Sequence, residues 1–224
     1  MEELKTLRHE QKYVIPYEEM LNLRTKFEKL LTVDRDPNGY MVRSLYFDSV
    51  DDEDYYDKLG GEANRKKIRL RIYDTTSDYV KLEIKAKMDV HQLKESLIIN
   101  KKIASELIKG NYGVLLSIDS DTAKKIYTIM ATGYYRPKVI IEYDRIAYLT
   151  TTTTRITFDF NVRRSYDFDN FFNDKINYLK VTDGKDVILE VKFDRFLEPY
   201  ITMILNNKVS RYQSVSKYIM GRNV

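Results

Sequence analysis

Five stretches of this sequence set charged side chains at alternate positions. Lys67, Arg69 and Arg71 alternate with Ile68, Leu70 and Ile72. Lys81, Glu83, Lys85 and Lys87 alternate with Val80, Leu82, Ile84 and Ala86. Arg155, Thr157, Asp159 and Arg163 oppose Ile156, Phe158, Phe160 and Val162, and Glu190, Lys192 and Asp194 oppose Leu189, Val191 and Phe193. Near the start, Arg8, Glu10 and Lys12 align. Side chains alternate across a β-strand, so each set shares one face. These residue types suit phosphate oxygens: an Arg fork meets two at once, and Lys acts as a movable point charge. The interspersed carboxylates suit Mg²⁺ or Mn²⁺, which takes one or two carboxylates and completes its shell with phosphate oxygens and water. Phosphoryl transfer needs positioning and charge neutralisation rather than a covalent side chain, so a dearth of His and Cys is no objection to it.

The elements that would position these residues are mostly strands, expected over 7–15, 40–48, 67–74, 79–87, 91–99, 138–149, 155–164 and 187–194. Helices are expected over 17–31, 121–131 and 198–206, with short ones at 105–109 and 214–220. The first carries Met20, Leu23, Phe27, Leu30 and Leu31 on one stripe. The acidic stretch 51–59 reads as helix or loop, and the β-branched run 150–154 as a hairpin turn or strand extension. Strands at hairpin spacing predict an antiparallel meander or barrel, and about eight strands is the number at which a small barrel closes around side chains or one ligand.

Two readings of the charged faces stand side by side. In one, each strand is half exposed, with charge toward water and an apolar core beneath. In the other, the amphipathic helices pack on the apolar faces from outside, and the charged faces line a channel. Charges at that density are costly to desolvate unless they are paired or met by an anion. Strand amphipathicity alone does not say which face is the core.

Bulk properties narrow the classes. The chain has 224 residues, 43% hydrophobic and 32% charged, which suits one domain over 1–224. It holds no Cys, which excludes disulfides and thiolate metal sites, and only two His, His9 and His91. A net charge of +4 does not argue for nucleic-acid binding. No apolar run approaches the roughly 18 residues of a membrane span, and the first residues lack a signal core. A cytoplasmic location is expected.

The segments Glu10-Gln11-Lys12, Ser44-Leu45-Tyr46-Phe47-Asp48, Ile68-Arg69-Leu70-Arg71-Ile72-Tyr73, Glu83-Ile84-Lys85, Tyr143-Asp144-Arg145-Ile146-Ala147-Tyr148, Arg155-Ile156-Thr157-Phe158-Asp159, Ile188-Leu189-Glu190-Val191-Lys192 and Ser216-Lys217-Tyr218-Ile219-Met220-Gly221 follow in this order. Together they resemble the VTC domain, the polyphosphate polymerase branch of the CYTH, or triphosphate tunnel metalloenzyme, superfamily. The resemblance implies an α+β, mostly β, fold: an antiparallel eight-stranded tunnel barrel with a charged lumen and helices packed outside. It implies transfer of the γ-phosphate of ATP to a growing polyphosphate chain, with Mn²⁺ or Mg²⁺ as cofactor. ATP, inorganic triphosphate and polyphosphate are the expected partners. By motif, Lys12, Arg69, Arg71, Lys85, Lys94, Arg145, Arg155, Lys192 and Lys217 are the expected phosphate ligands, with Lys85, Arg155 and Lys217 acting on the transferred group. Glu190, helped by Glu10 or Asp159, is the expected metal ligand.

One departure stands out. The superfamily's first-strand signature is Glu-x-Glu-x-Lys, and Arg8 replaces its first acid. That leaves fewer metal ligands and shifts the implied site from acid-rich hydrolysis toward anion holding. A triphosphatase of the same superfamily and a non-catalytic polyphosphate or nucleotide binder are the alternatives. Glu190 as an ion-pair partner of Lys192, and Asp159 as a partner of Arg155 or another Arg, are the plainer readings of those two acids.

Overall fold

The computed structural model describes residues 9–88, 91–182, 184–206 and 215–223. The strands are β1 (His9–Pro16), β2 (Thr32–Val33), β3 (Tyr40–Asp48), β4 (Arg65–Ile72), β5 (Tyr79–Met88), β6 (His91–Asn100), β7 (Arg136–Leu149), β8 (Arg155–Ser165), β9 (Leu179–Lys180) and β10 (Asp186–Phe193). The helices are α1 (Tyr17–Leu30), α2 (Glu53–Gly60), α3 (Lys101–Ile108), α4 (Asp121–Thr132), α5 (Pro199–Asn206) and α6 (Lys217–Arg222), and single 3₁₀ segments cover Tyr112–Ser117 and Phe168–Asn170. Side-chain caps set two of the starts. Asn100 accepts from the Ile103 N–H and Ser120 from the Ala123 N–H, satisfying donors that a first helical turn leaves open. The Asn100 cap explains why α3 starts at Lys101 rather than at the expected residue 105. The acidic stretch after Asp52 is helix, and 150–154 is the turn between β7 and β8.

The sheet has ten strands, eight of them in the order β1-β10-β8-β7-β3-β4-β5-β6, with β2 added on β7 and β9 on β8. Every pairing is antiparallel. The expected closed eight-stranded barrel is corrected here: among the described residues the end strands β1 and β6 share no ladder. The sheet nevertheless curls until its ends face each other, because Lys85 of β5 lies within electrostatic reach of Glu10 and Lys12 of β1 and Lys192 of β10. An eight-stranded barrel has an interior just wide enough for side chains. This one must hold long Lys and Arg side chains and a helix as well.

The apolar faces point outward and are covered. Leu45, Phe47, Ile68, Leu70, Leu82 and Ile84 pack with Ala104 and Leu107 of α3 and Ala123, Ile126 and Met130 of α4. Ile146, Phe158, Leu189 and Val191 pack with Met20, Leu23 and Phe27 of α1 and Ile201 and Leu205 of α5. Each large apolar side chain so buried contributes about 1.5–3 kcal/mol. The helical layer therefore decides which face is core, and the charged faces are left to the concave side.

Two features depart from simple alternation. Asn161 adopts a left-handed backbone (φ 52) beside a register shift between Glu142 and Asp144 of β7. Past that bulge the phase of β8 inverts. Arg163, expected to share the face of Arg155, instead bonds Glu142 on the outer side, where Arg43 also bonds it. Val162 joins Tyr46, Tyr143 and Tyr218 in an inner cluster. The second departure is α6, expected outside with the other helices. It sits on the inner side, with Tyr218 stacked on Tyr46 at 5.2 Å and the Arg164 guanidinium donating to the Gly221 carbonyl at 3.0 Å. A Cβ on Gly221 would press on the end of the Ile141 side chain, which would have to shift, so glycine eases the close approach of α6 to β7.

Candidate functional site

The concave face gathers charge from six strands and one helix. Facing one another are the cations Lys12, Lys67, Arg69, Arg71, Lys85, Arg145, Lys192 and Lys217 and the carboxylates Glu10, Glu83, Asp159 and Glu190. Three knots organise them. Glu83 takes Arg69 (2.6 Å), Arg71 (4.0 Å) and Lys94. Asp159 takes both prongs of Arg145 (2.6 and 2.7 Å) and Lys217 (2.6 Å). Glu190 lies 3.3 Å from Lys192, 3.5 Å from Lys12 and 3.6 Å from Arg145, and Glu10 lies 3.0 Å from Lys12. These cations outnumber the carboxylates by two to one.

Ten of the residues singled out in the sequence are brought together. Lys12, Arg69, Arg71, Lys85, Arg145, Lys192, Lys217, Glu10, Asp159 and Glu190 all face the channel. Two sit at its margin. Lys94 is half exposed on β6 and reaches inward only to pair with Glu83. Arg155 is engaged by Asp34 and by the Tyr40 hydroxyl at 3.0 Å. Asp159 pairs with Arg145 and not with Arg155. Arg8 lies outside the described residues. Lys67 and Glu83, placed on the charged faces by the sequence, were not among the expected ligands, nor was Tyr46; Glu83 is the buried hub of the first knot. Their signal was present: Lys67 shares the alternation of Arg69 and Arg71, and Tyr46 follows Ser44 by two.

Electrostatics bear on the chemistry. Burial opposes ionisation of Glu10, but Lys192, Lys12 and Lys85 outweigh it and hold its carboxyl well below the usual range. Burial likewise opposes ionisation of Glu83 and of Asp159, yet Arg69 and Arg71 at the first, and Arg145 and Lys217 at the second, keep both ionised. Lys85 is pushed well below the ordinary lysine value by burial first and by Lys192 and Arg69 next. Lys67 falls to about 8 through burial, with Arg69, Lys12 and Lys58 adding to the shift against Tyr46. Burial opposes ionisation of Tyr46, but Arg69, Arg71 and Lys67 lower its phenol to about 7. An anion placed here would meet fixed positive charge with little water between.

The Glu10 and Glu190 carboxylates sit diagonally on neighbouring strands, both within 3.5 Å of Lys12. Glu10 Oε1 is buried, with the Lys12 ammonium at 3.0 Å and that of Lys192 at 3.9 Å. Among the described residues no three His, Cys, Asp or Glu side chains cluster as a self-sufficient metal site. This donor set fits Mg²⁺ or Mn²⁺ that arrives with phosphate oxygens and brings most of its own shell.

The channel has two unlike ends. Toward Asp48 it is filled by α6, whose Tyr218 hydroxyl donates to Asp48 at 2.5 Å and whose Arg222 pairs with Asp52 at 2.9 Å. Toward Tyr40 it is lined by Tyr40, Tyr73, Arg35, Lys81 and Arg155.

A curled antiparallel sheet, helices on its apolar side and a cationic concave face define a class of α+β protein with a hollow suited to anions. Within that class the sequence profile of the VTC domain matches residues 7–224, and the chain belongs to the VTC domain family. Solved structures of the same fold include a candidate adenylyl cyclase from Hippeastrum, described as having a dominant triphosphatase activity (14% identity, TM-score 0.61, covering 97% of this chain and 96% of that one). A candidate adenylate cyclase from Bacillus halodurans is similar too (13% identity, TM-score 0.57, covering 94% and 96%), as is a protein from Pyrococcus horikoshii OT3 (11%, 0.51, covering 96% and 97%). At these identities the likeness is one of fold. No curated protein matches the chain in sequence. No helix among the described residues is long and apolar enough to cross a membrane.

One consequence of the charge arrangement is measurable. As pH rises from 6.5 to 8.5, Tyr46 passes from neutral to anionic through about 7 and Lys67 from cationic to neutral through about 8. Both changes remove positive charge from the same wall, beside Arg69 and Arg71. Affinity for inorganic triphosphate should therefore fall across this range, by about tenfold or more. Binding at pH 8 should take up protons. Calorimetry in buffers of different ionisation enthalpy checks both, and a flat profile refutes the assignment of Lys67 and Tyr46 to the binding wall.

Proposed function

We propose that this protein transfers the γ-phosphoryl group of ATP to the end of a polyphosphate chain, with Mg²⁺ or Mn²⁺ as cofactor. The observation that carries the reading is the two-to-one excess of convergent, buried or partly buried cations over carboxylates on the concave face. Charge of that sign left unmatched is costly, and a polyanion matches it. Membership of the VTC domain family supports the polymer as acceptor.

On this reading Arg69, Arg71, Arg145 and Lys192 hold phosphate oxygens, and Lys85 and Lys217 neutralise charge on the transferred group. Arg155, nearer the Tyr40 end, meets the nucleotide as it enters. Glu190 and Glu10 would hold the metal, which when bound draws charge from the phosphate oxygens. The bond from the γ-phosphorus to the β,γ-bridging oxygen breaks, and one to a terminal oxygen of the acceptor forms. ADP departs with the electron pair of the broken bond. The acceptor oxygen is already ionised, so no side chain has to remove a proton.

Hydrolysis of triphosphate is the second reading. It is favoured by α6, which fills one end of the channel where a threaded polymer would have to pass. Incubation with ATP and Mn²⁺ or Mg²⁺, followed by a gel for long-chain polyphosphate and an assay for free phosphate, separates the two. Long chains with little free phosphate are expected. Stoichiometric free phosphate without chains would establish the triphosphatase, and absence of both would leave a binding module.

A further inference from the structure

At the end of the channel away from α6 lies a group of side chains that the phosphate chemistry leaves unused. Tyr40 begins β3, and Tyr73 follows the last residue of β4. Their rings lie 6.1 Å apart, tilted by 59°. The Arg35 guanidinium sits over both, 4.3 Å from the centre of Tyr73 and 4.9 Å from that of Tyr40. Arg35 is exposed and adopts a left-handed backbone (φ 74) in the connection to β3, while both tyrosines are half buried. Lys81 approaches Tyr73 from β5 at 5.4 Å. A guanidinium held over two rings gives a polarisable, cationic surface open to water.

Its position in the register gives it meaning. Tyr40 is the ladder partner of Arg145, and Tyr73 lies two residues beyond Arg71 on β4, about 7 Å farther out along the strand. The surface is thus one step outward from two of the arginines that face the channel. A triphosphate held by Arg71 and Arg145 would direct whatever is esterified to it toward Tyr40, Tyr73 and Arg35.

We infer that Tyr40, Tyr73 and Arg35 form a stacking platform for the base of a nucleoside triphosphate whose phosphates lie in the channel. This rests on the reading above, which takes ATP as donor, and adds to it which side chains meet the base. Aromatic rings and Arg planes stack on any base, so the platform favours ATP and GTP about equally and reads no base edge. The aromatic pair and the guanidinium supply dispersion and cation–π attraction that an inorganic triphosphate cannot use.

The test is the ratio of affinities for ATP and inorganic triphosphate, measured by calorimetry in wild type, Arg35→Ala, Tyr73→Leu and Tyr73→Phe. Wild type should bind ATP the more tightly by on the order of tenfold, the scale of one base stacked on one aromatic partner. Arg35→Ala and Tyr73→Leu should bring that ratio close to one, and Tyr73→Phe should keep it. Using a ratio cancels effects that reach both ligands equally, including any loss of the Tyr73 contact to Arg71. Equal affinities in wild type, or a ratio untouched in Tyr73→Leu and Arg35→Ala, would overturn the platform and leave the phosphate site standing. Failure of wild type to bind either ligand would overturn the phosphate site, and the platform with it.

Discussion

Glu190→Gln should lower metal-dependent turnover by at least about a hundredfold, the scale expected on losing a metal-holding carboxylate, while binding of metal-free ATP survives or tightens. Gln keeps the shape and hydrogen-bonding reach of Glu and removes only the charge. That charge lies 3.3 Å from Lys192, 3.5 Å from Lys12 and 3.6 Å from Arg145. Without it the three cations are freer to meet phosphate oxygens, so anion binding gains what metal holding loses. If Glu190 served only to neutralise its neighbours, the variant would lose stability and keep the wild-type dependence on Mn²⁺ or Mg²⁺ concentration. Turnover titrated with metal, beside calorimetry with ATP in chelator, separates these outcomes by kind.

Arg69→Ala should destabilise the protein by about 3–5 kcal/mol, the usual cost of stripping one partner from a buried ion pair. It should also lower affinity for triphosphate by about a hundredfold, the scale of losing a fully desolvated, charge-assisted contact. Arg69 bonds Glu83 at 2.6 Å, and Glu83 is completely buried. Arg71, 4.0 Å away, and Lys94 then remain as partners for that carboxylate. Pairing Arg69→Leu with Glu83→Leu removes both charges together. That double variant should recover part of the stability, because an apolar pair can replace a buried ion pair at little cost, while Arg71 and Lys94 lose their carboxylate. It should not recover triphosphate binding. Chemical denaturation followed by tyrosine fluorescence reads the stability, and calorimetry reads the ligand. If binding returned with stability, Arg69 would belong to the scaffold alone.

Alternation in the sequence determined a good deal on its own. The faces carrying Lys67, Arg69 and Arg71, Glu83 and Lys85, and Glu190 and Lys192 are legible because a strand has period two. Most strand limits follow for the same reason, and β3 runs over 40–48 as expected. The VTC resemblance rested on those faces in order, and the profile match over residues 7–224 bears it out.

Only the tertiary structure decided the rest, because it depends on groups far apart in the chain. Which face is core was settled by α1, α3, α4 and α5 covering the apolar sides. The left-handed Asn161 inverted the phase of β8, turning Arg163 outward and Val162 inward, and a single backbone angle leaves no periodic trace in sequence. The place of α6 inside the sheet rests on contacts across the fold, the Tyr218–Tyr46 stack and the Arg164 bond to the Gly221 carbonyl. Closure of the barrel was not decided by strand count either, since β1 and β6 face each other without a ladder among the described residues. Partner choice followed the same logic: Asp159 took Arg145 and Lys217, leaving Arg155 to Asp34. Charges select the nearest opposite charge in space, and distance in space is what a linear sequence does not carry.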